Sequence, residues 1–302
     1  MRKEGQEIYS KTLKNKLKNL FEVVFCKGSY YIHSHRRILR KTEDSSEPTV
    51  WWDKKKISDF DYRNKNIRAT RDQSAIIINV NDTRLVVVEV KDDGTAGREI
   101  IIKNETSSRI SCHEALSETR ILTVNQKGLI VIYEVDFKNY SGSKEIARHQ
   151  IKVNPERNEN CFYLSVCDRS KRVAVLIMKH GYCVKASRIQ MYELNTKGDS
   201  GEEEKIELKA EIDIGSKDLE CYYSICISQY IGDKLVIFGY SYKNTSVHTY
   251  YYDISSAELI ERESKSLFAE HNKCYKLQRY GNQVYGILWG GKIVKINFYQ
   301  LI

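Results

Sequence analysis

A chain of 302 residues is too long for one small core and ordinary for a single domain built of repeats. Its 41% hydrophobic and 29% charged residues are those of a folded globular protein, and its longest apolar runs are strand-sized, far short of a membrane-spanning helix. The net charge of +9 is concentrated: residues 1–72 hold 18 Lys/Arg against 10 Asp/Glu, whereas the other 230 hold 31 against 30.

The composition points to strands. Tyrosine, with 21 copies against 8 Phe and 3 Trp, suits half-buried strand positions where the ring packs and the hydroxyl reaches water. With only 2 Pro, the turns rest on Gly, Asn, Asp and Ser. The start, Met1-Arg2-Lys3-Glu4, leads into no apolar run of the secretory kind. None of the 8 Cys forms a Cys-x-x-Cys pair, so reduced thiols in an intracellular protein, cytoplasmic or nuclear, are expected. The four Asn-x-Ser/Thr triplets, at Asn81, Asn104, Asn139 and Asn244, are read as chance matches.

In chain order, residues 1–20 form a basic N-terminal segment and 21–302 the main domain. The first segment has two readings. Leu13, Leu17, Leu20 and Val24 make an apolar stripe at helical spacing, while Glu7–Leu13 also suits a strand supplied to the other terminus. From there a motif recurs: an apolar alternation ending in a bulky residue and then an acid or amide. It appears as Leu85–Glu89, Ile130–Glu134, Ile189–Glu193, Thr249–Asp253 and Ile293–Asn297. Thr49-Val50-Trp51-Trp52-Asp53, the only literal Trp-Asp, is taken as the first copy. Between copies the chain alternates apolar strands with polar turns. Cys161-Phe162-Tyr163 opens one unit, the turn Asp168–Arg172 follows, then Val173–Met178, and Lys205–Ile214 comes after the motif. Strand and turn repeated four times is a β-meander.

These repeats resemble those of the WD40-like β-propeller family over nearly the whole chain. The best match is Lys127-Gly128-Leu129-Ile130-Val131-Ile132-Tyr133-Glu134, where Tyr133-Glu134 stands in place of Trp-Asp. The Gly-His that opens a family repeat is missing throughout. The resemblance implies an all-β propeller of about six four-stranded blades, with seven as the alternative. It also implies that the last blade, short of an outer strand, borrows one from the N-terminal segment.

No Gly-x-Ser-x-Gly, His-Glu-x-x-His, phosphate-binding Gly-rich loop or kinase motif occurs, so no catalytic residue, cofactor or metal is expected. His33 and His35 stand two apart on a strand near Cys26, and two solvent-facing imidazoles are the simpler account than a metal site. Cys161, Cys221 and Cys274 recur at equivalent repeat positions and read as small core residues. The basic quarter supplies the candidate contact residues: Arg36, Arg37, Arg40 and Lys41, with Trp51 and Trp52 beside Lys54, Lys55 and Lys56. Cations beside tryptophans suit another protein as partner, with nucleic acid or an anionic surface as the alternative. The expected function is a non-enzymatic interaction platform or a subunit of a larger assembly.

Overall fold

The computed structural model describes 6–9, 22–34, 37–53, 67–81, 83–104, 106, 108–154, 156, 159–167, 171–179, 185–195 and 205–213, followed by 225–231, 234–241, 246–253, 258–266, 274–280, 283–288 and 293–296. Arg36, His35 and Lys54 to Lys56 lie outside these residues, as does the stripe of Leu13, Leu17 and Leu20.

All regular structure among the described residues is β-strand. After Gln6–Tyr9 (β1), a first meander runs through Glu22–Cys26 (β2), Ser29–Ser34 (β3), Arg37–Thr42 (β4) and Thr49–Asp53 (β5). The second is Ile67–Ala69 (β6), Ala75–Asn81 (β7), Arg84–Val90 (β8) and Ala96–Lys103 (β9). The third is Ile110–Ala115 (β10), Arg120–Asn125 (β11), Leu129–Val135 (β12) and Ser143–Gln150 (β13). Next come Glu159–Val166 (β14), Arg172–Lys179 (β15), Lys185–Asn195 (β16) and Lys205–Asp213 (β17). They are followed by Ile225–Ile231 (β18), Lys234–Ser241 (β19), Ser246–Asp253 (β20) and Glu258–Ser266 (β21), then Cys274–Tyr280 (β22), Gln283–Leu288 (β23) and Ile293–Ile296 (β24).

Each meander is a four-stranded sheet in sequence order, and the last is completed out of order as β1-β24-β23-β22. There Gln6 stands opposite Lys295 and Glu7 opposite Val294, antiparallel. Residues 6–9 are therefore strand, in line with the reading of this segment as one supplied to the other terminus. Backbone groups of β24 that would face solvent are paired instead.

The chain divides into two compact units. One comprises Asn19–Lys152 with Thr196–Lys205; the other comprises Met1–Lys18, Val153–Asn195 and Ile206–Ile302. In the first unit, the second and third strands of the middle sheet are buried on both faces. Ala75 to Val80 and Leu85 to Val88 are all inaccessible to solvent. Strands covered on both faces read as continuous β-branched runs rather than alternations, which is why Ile76-Ile77-Ile78 and Val86-Val87-Val88 occur. Outer strands alternate instead: on β9, Ile100 and Ile102 face the core while Glu99, Ile101 and Lys103 face water. The outer strands β13, β17 and β21 carry charges along their length, which discourages edge-to-edge pairing.

Five copies of the repeated motif fall on third strands: β8, β12, β16, β20 and β24. The copy at Thr49–Asp53 does not. It is β5, the fourth strand of its sheet, and the third strand is Arg37–Thr42. In the first sheet that third strand, Arg37-Ile38-Leu39-Arg40-Lys41-Thr42, keeps the buried positions Ile38 and Lys41 but ends without an acid. The literal Trp-Asp therefore marks an outer strand, one position beyond the third strand expected for the motif.

Candidate functional site

The described residues among those singled out in the basic quarter are tied into their own unit. Arg37 is exposed, with its Nε 3.4 Å from Asp53 Oδ2 across the β4–β5 ladder. Arg40 donates from Nε to Ser29 Oγ at 3.1 Å and from an Nη to the Asp93 carbonyl at 3.1 Å. Lys41 is buried and its ammonium donates to the Ser45 carbonyl. The Trp51 indole N–H donates to the Gly94 carbonyl at 2.9 Å, and its ring stands edge-on to Tyr31 at 4.8 Å. Trp52 is buried and donates to Glu99 Oε1 at 2.7 Å.

The contacts of Arg40 and Trp51 converge on the turn 91–95 between β8 and β9. The turn closes through Gly94 N–H to the Lys91 carbonyl at 2.8 Å and Thr95 N–H to Asp93 Oδ1 at 2.8 Å. Lys27, from the β2–β3 turn, donates to the Val90 carbonyl and to Asp92 Oδ1, both at 2.9 Å. Gly94 has φ +76°, and a Cβ added there would lie 2.1 Å from the Arg40 guanidinium. Glycine takes this left-handed backbone without strain, and any Cβ there would also push the Arg40 guanidinium aside.

His33 is buried in β3, so the expected solvent-facing pair is corrected at this residue. Nor does it stand near Cys26. Glu22 pairs with His33 and Cys26 with Ser29, which puts Cys26 and His33 at opposite ends of the β2–β3 hairpin. Their separation along the strands is roughly 14 Å, too far to share one ion. Among the described residues, no group of three or more His, Cys, Asp or Glu is placed to hold a metal. Cys26, Cys112 and Cys167 are buried free thiols. Burial, with a smaller push from Asp72 and an opposing pull from Lys27, raises the Cys26 thiol to about 12.

The second unit holds a polar network that sequence reading missed. Arg188, Gln190 and Tyr192 alternate along β16 and so share one face. Arg188 donates to Glu159 Oε2 at 2.8 Å and to both carboxylate oxygens of Glu211 at 3.0 Å. The Glu159 side chain is fully buried and also accepts the Asn154 N–H at 2.9 Å. Tyr192 donates to Gln190 Oε1 at 2.6 Å, and Gln190 donates to Glu211. Arg188 faces two carboxylates, which offsets the cost of holding its guanidinium away from solvent. The i, i+2 spacing of polar residues on an otherwise apolar strand was its one sequence signal.

Comparison with known proteins is decided by structure, not sequence. No protein-family model matches the sequence, and no curated protein matches it. Solved structures do match. The Swd1 (Cps50) β-propeller domain of Myceliophteria thermophila is 8% identical, with 92% of this chain and 83% of that chain covered at a TM-score of 0.58. The Nup133 β-propeller domain of Vanderwaltozyma polyspora is 13% identical, with 91% and 82% covered at 0.53. A chain of the mitotic checkpoint complex is 10% identical, with 97% and 89% covered at 0.54. The fold is a β-propeller.

The four-stranded sheets are the propeller's blades, and in the first unit their two ends differ in charge. Turns after first and third strands lie at one end, because Lys27 bonds to Gln73 and Asp92, and Arg98 reaches the carbonyls of Lys138 and Asn139. These turns, 27–28, 43–48, 70–74, 91–95, 116–119 and 136–142, contain 8 Asp/Glu and 4 Lys/Arg. Among the described residues of the segments after second and fourth strands, 83, 104, 106, 108–109, 126–128 and 151–152, Arg109, Lys127 and Lys152 are basic and none is acidic. Arg84 and Lys103, paired directly opposite in the β8–β9 ladder, add two cations at that second end. At the acidic end two carboxyls are held below their usual range by the turns that contain them. The Thr95 hydroxyl and N–H lower Asp93, and Ser141 and Asn139 lower Asp136.

Proposed function

We propose that this propeller is a binding platform for other proteins, working as a subunit of a larger assembly inside the cell rather than as an enzyme. The observation that carries the reading is the way its turns are built. Along the first unit, side-chain oxygens accept the N–H two residues on: Asp72 from Ser74, Asn81 from Thr83, Asp93 from Thr95, Asn104 from Thr106, Ser117 from Thr119 and Asn125 from Lys127. Turns fixed in this way are ordered before a partner arrives, so binding costs little further conformational entropy. Asn81 and Asn104, read from sequence as chance glycosylation triplets, have this turn-closing role.

The propeller domains that this chain resembles include one from the mitotic checkpoint complex, an assembly of proteins, and that supports the same reading. Buried free thiols at Cys26, Cys112 and Cys167 suit a reducing compartment. Of the contact residues expected from sequence, Arg37 keeps an exposed guanidinium for a partner. Arg40, Lys41, Trp51 and Trp52 serve the platform itself. Gentle, low-salt affinity purification of the full chain tests the proposal. Recovery with stoichiometric protein partners is expected, and recovery of the chain alone would overturn it.

A further inference from the structure

We infer that the outer strand β17 is a strap on the edge of its sheet, poised to open, and that Arg188 is the latch that holds it. Two observations carry this. The first is how little apolar burial fastens the strand. Five of its nine residues are charged, Ile206 alone is buried, and Leu208 stands 48% exposed. On β16, by contrast, Ile189, Gln190, Met191 and Tyr192 are all buried. Burial therefore fixes the third strand firmly and the fourth only near its start.

The second is the asymmetry of the Arg188 contacts. One side of the guanidinium donates to Glu159, whose side chain is fully buried. The other donates to Glu211, whose side chain is 42% exposed. Breaking the inner pair would strand a charge away from water, which is strongly unfavourable. Breaking the outer pair costs far less, because water solvates the released carboxylate while Glu159 still neutralises the arginine. Gln190 also donates to Glu211, so this one carboxylate takes bonds from two residues of β16. The ion pairs of Lys209 are weaker holds. It lies 3.4 Å from Glu193 on β16 and 2.8 Å from Glu207 on its own strand, and all three side chains are well exposed.

Opening at Glu211 thus leaves the rest of the sheet intact. The open state is a minor one, because it leaves backbone groups of β16 unpaired at the new edge. Arg188, kept in place by Glu159, stays positioned to receive Glu211 when the strand returns.

Native-state hydrogen exchange of the full chain, read by mass spectrometry as protection factors, tests the inference. Residues 205–213 are compared with β15 of the same sheet and with β9, an outer strand of the first unit that buries Ile100 and Ile102. Protection of 205–213 is expected to be lower than in either. Glu211→Gln keeps the side chain's shape and removes its charge. It should accelerate exchange in 205–213 by about fivefold and leave 172–179 within about twofold. In the unsubstituted protein, about 0.5 M sodium chloride should accelerate 205–213 and spare 172–179. Melting curves establish that the variant is folded, and the salt response gives an independent reading if it is not. Protection of 205–213 equal to that of β15, or no lower than that of β9, overturns the inference. So does acceleration shared equally by 205–213 and 172–179, or a segment 205–213 that responds to neither the substitution nor the salt.

Discussion

Gly94 shows how one residue fixes the relation of two blades. Its carbonyl takes the Trp51 N–H, its φ is left-handed, and its missing Cβ leaves room for the Arg40 guanidinium. Gly94→Ala is expected to destabilise the protein by about 1–3 kcal/mol, read as a lower urea midpoint. Cys26 yields a different measurement. With its thiol pushed up to about 12 by burial, almost no thiolate exists at pH 8. Alkylation mapped by mass spectrometry should leave Cys26 unmodified in the native protein and modify it once urea unfolds the chain. Neither property was legible in the sequence. A glycine in Lys91-Asp92-Asp93-Gly94-Thr95 announces a turn. It does not announce which guanidinium will lie against it, because Arg40 is 54 positions away.

At the scale of the element, strands were legible, and their depth in the sheet was legible for five copies of the motif but not for the first. Apolar runs such as Val173–Met178 marked β15 with nearly its observed limits. The Trp51-Trp52-Asp53 signal was real as a strand but belonged to the outer position, since local pattern does not say how many strands precede it. The turns carry the pH dependence. Asp93 and Asp136 are lowered chiefly by turn hydroxyls, and Glu89 by the Arg98 side chain bonded to it. A folded pKa below the unfolded one means that the stabilisation is complete above the unfolded carboxylate value of about 4. It is lost as pH falls through the lower folded values. Hydrogen exchange in 91–95 and 136–142 should therefore accelerate below about pH 4. Asp93→Asn with Asp136→Asn keeps an acceptor oxygen but removes the titration, so this double variant should show a weaker acid dependence.

For the whole molecule, the strand nearest the N-terminus completes the sheet nearest the C-terminus, as β1 pairs with β24. Deleting residues 1–10 would leave the backbone of Ile293–Ile296 as an open edge. The expected outcome is a lower melting temperature and concentration-dependent light scattering, because an unpaired edge recruits other chains. An unchanged melting temperature would show that this pairing adds little to stability.

The sequence by itself determined the strand content, the blade period and the polar turns, because these follow from local alternation and from the φ/ψ needs of Gly, Asn and Asp. It also contained the charge excess, but placed it in a quarter of the chain. Only the tertiary structure decided which turns share an end of a blade. Antiparallel meanders send alternate connections to opposite ends of a blade, so carboxylates distant in sequence, such as Asp72, Asp93 and Asp136, collect at one end. The same physics decided the fate of the tryptophans. Their indoles had to find acceptors on a neighbouring blade, and those acceptors, Gly94 and Glu99, lie more than 40 positions along the chain.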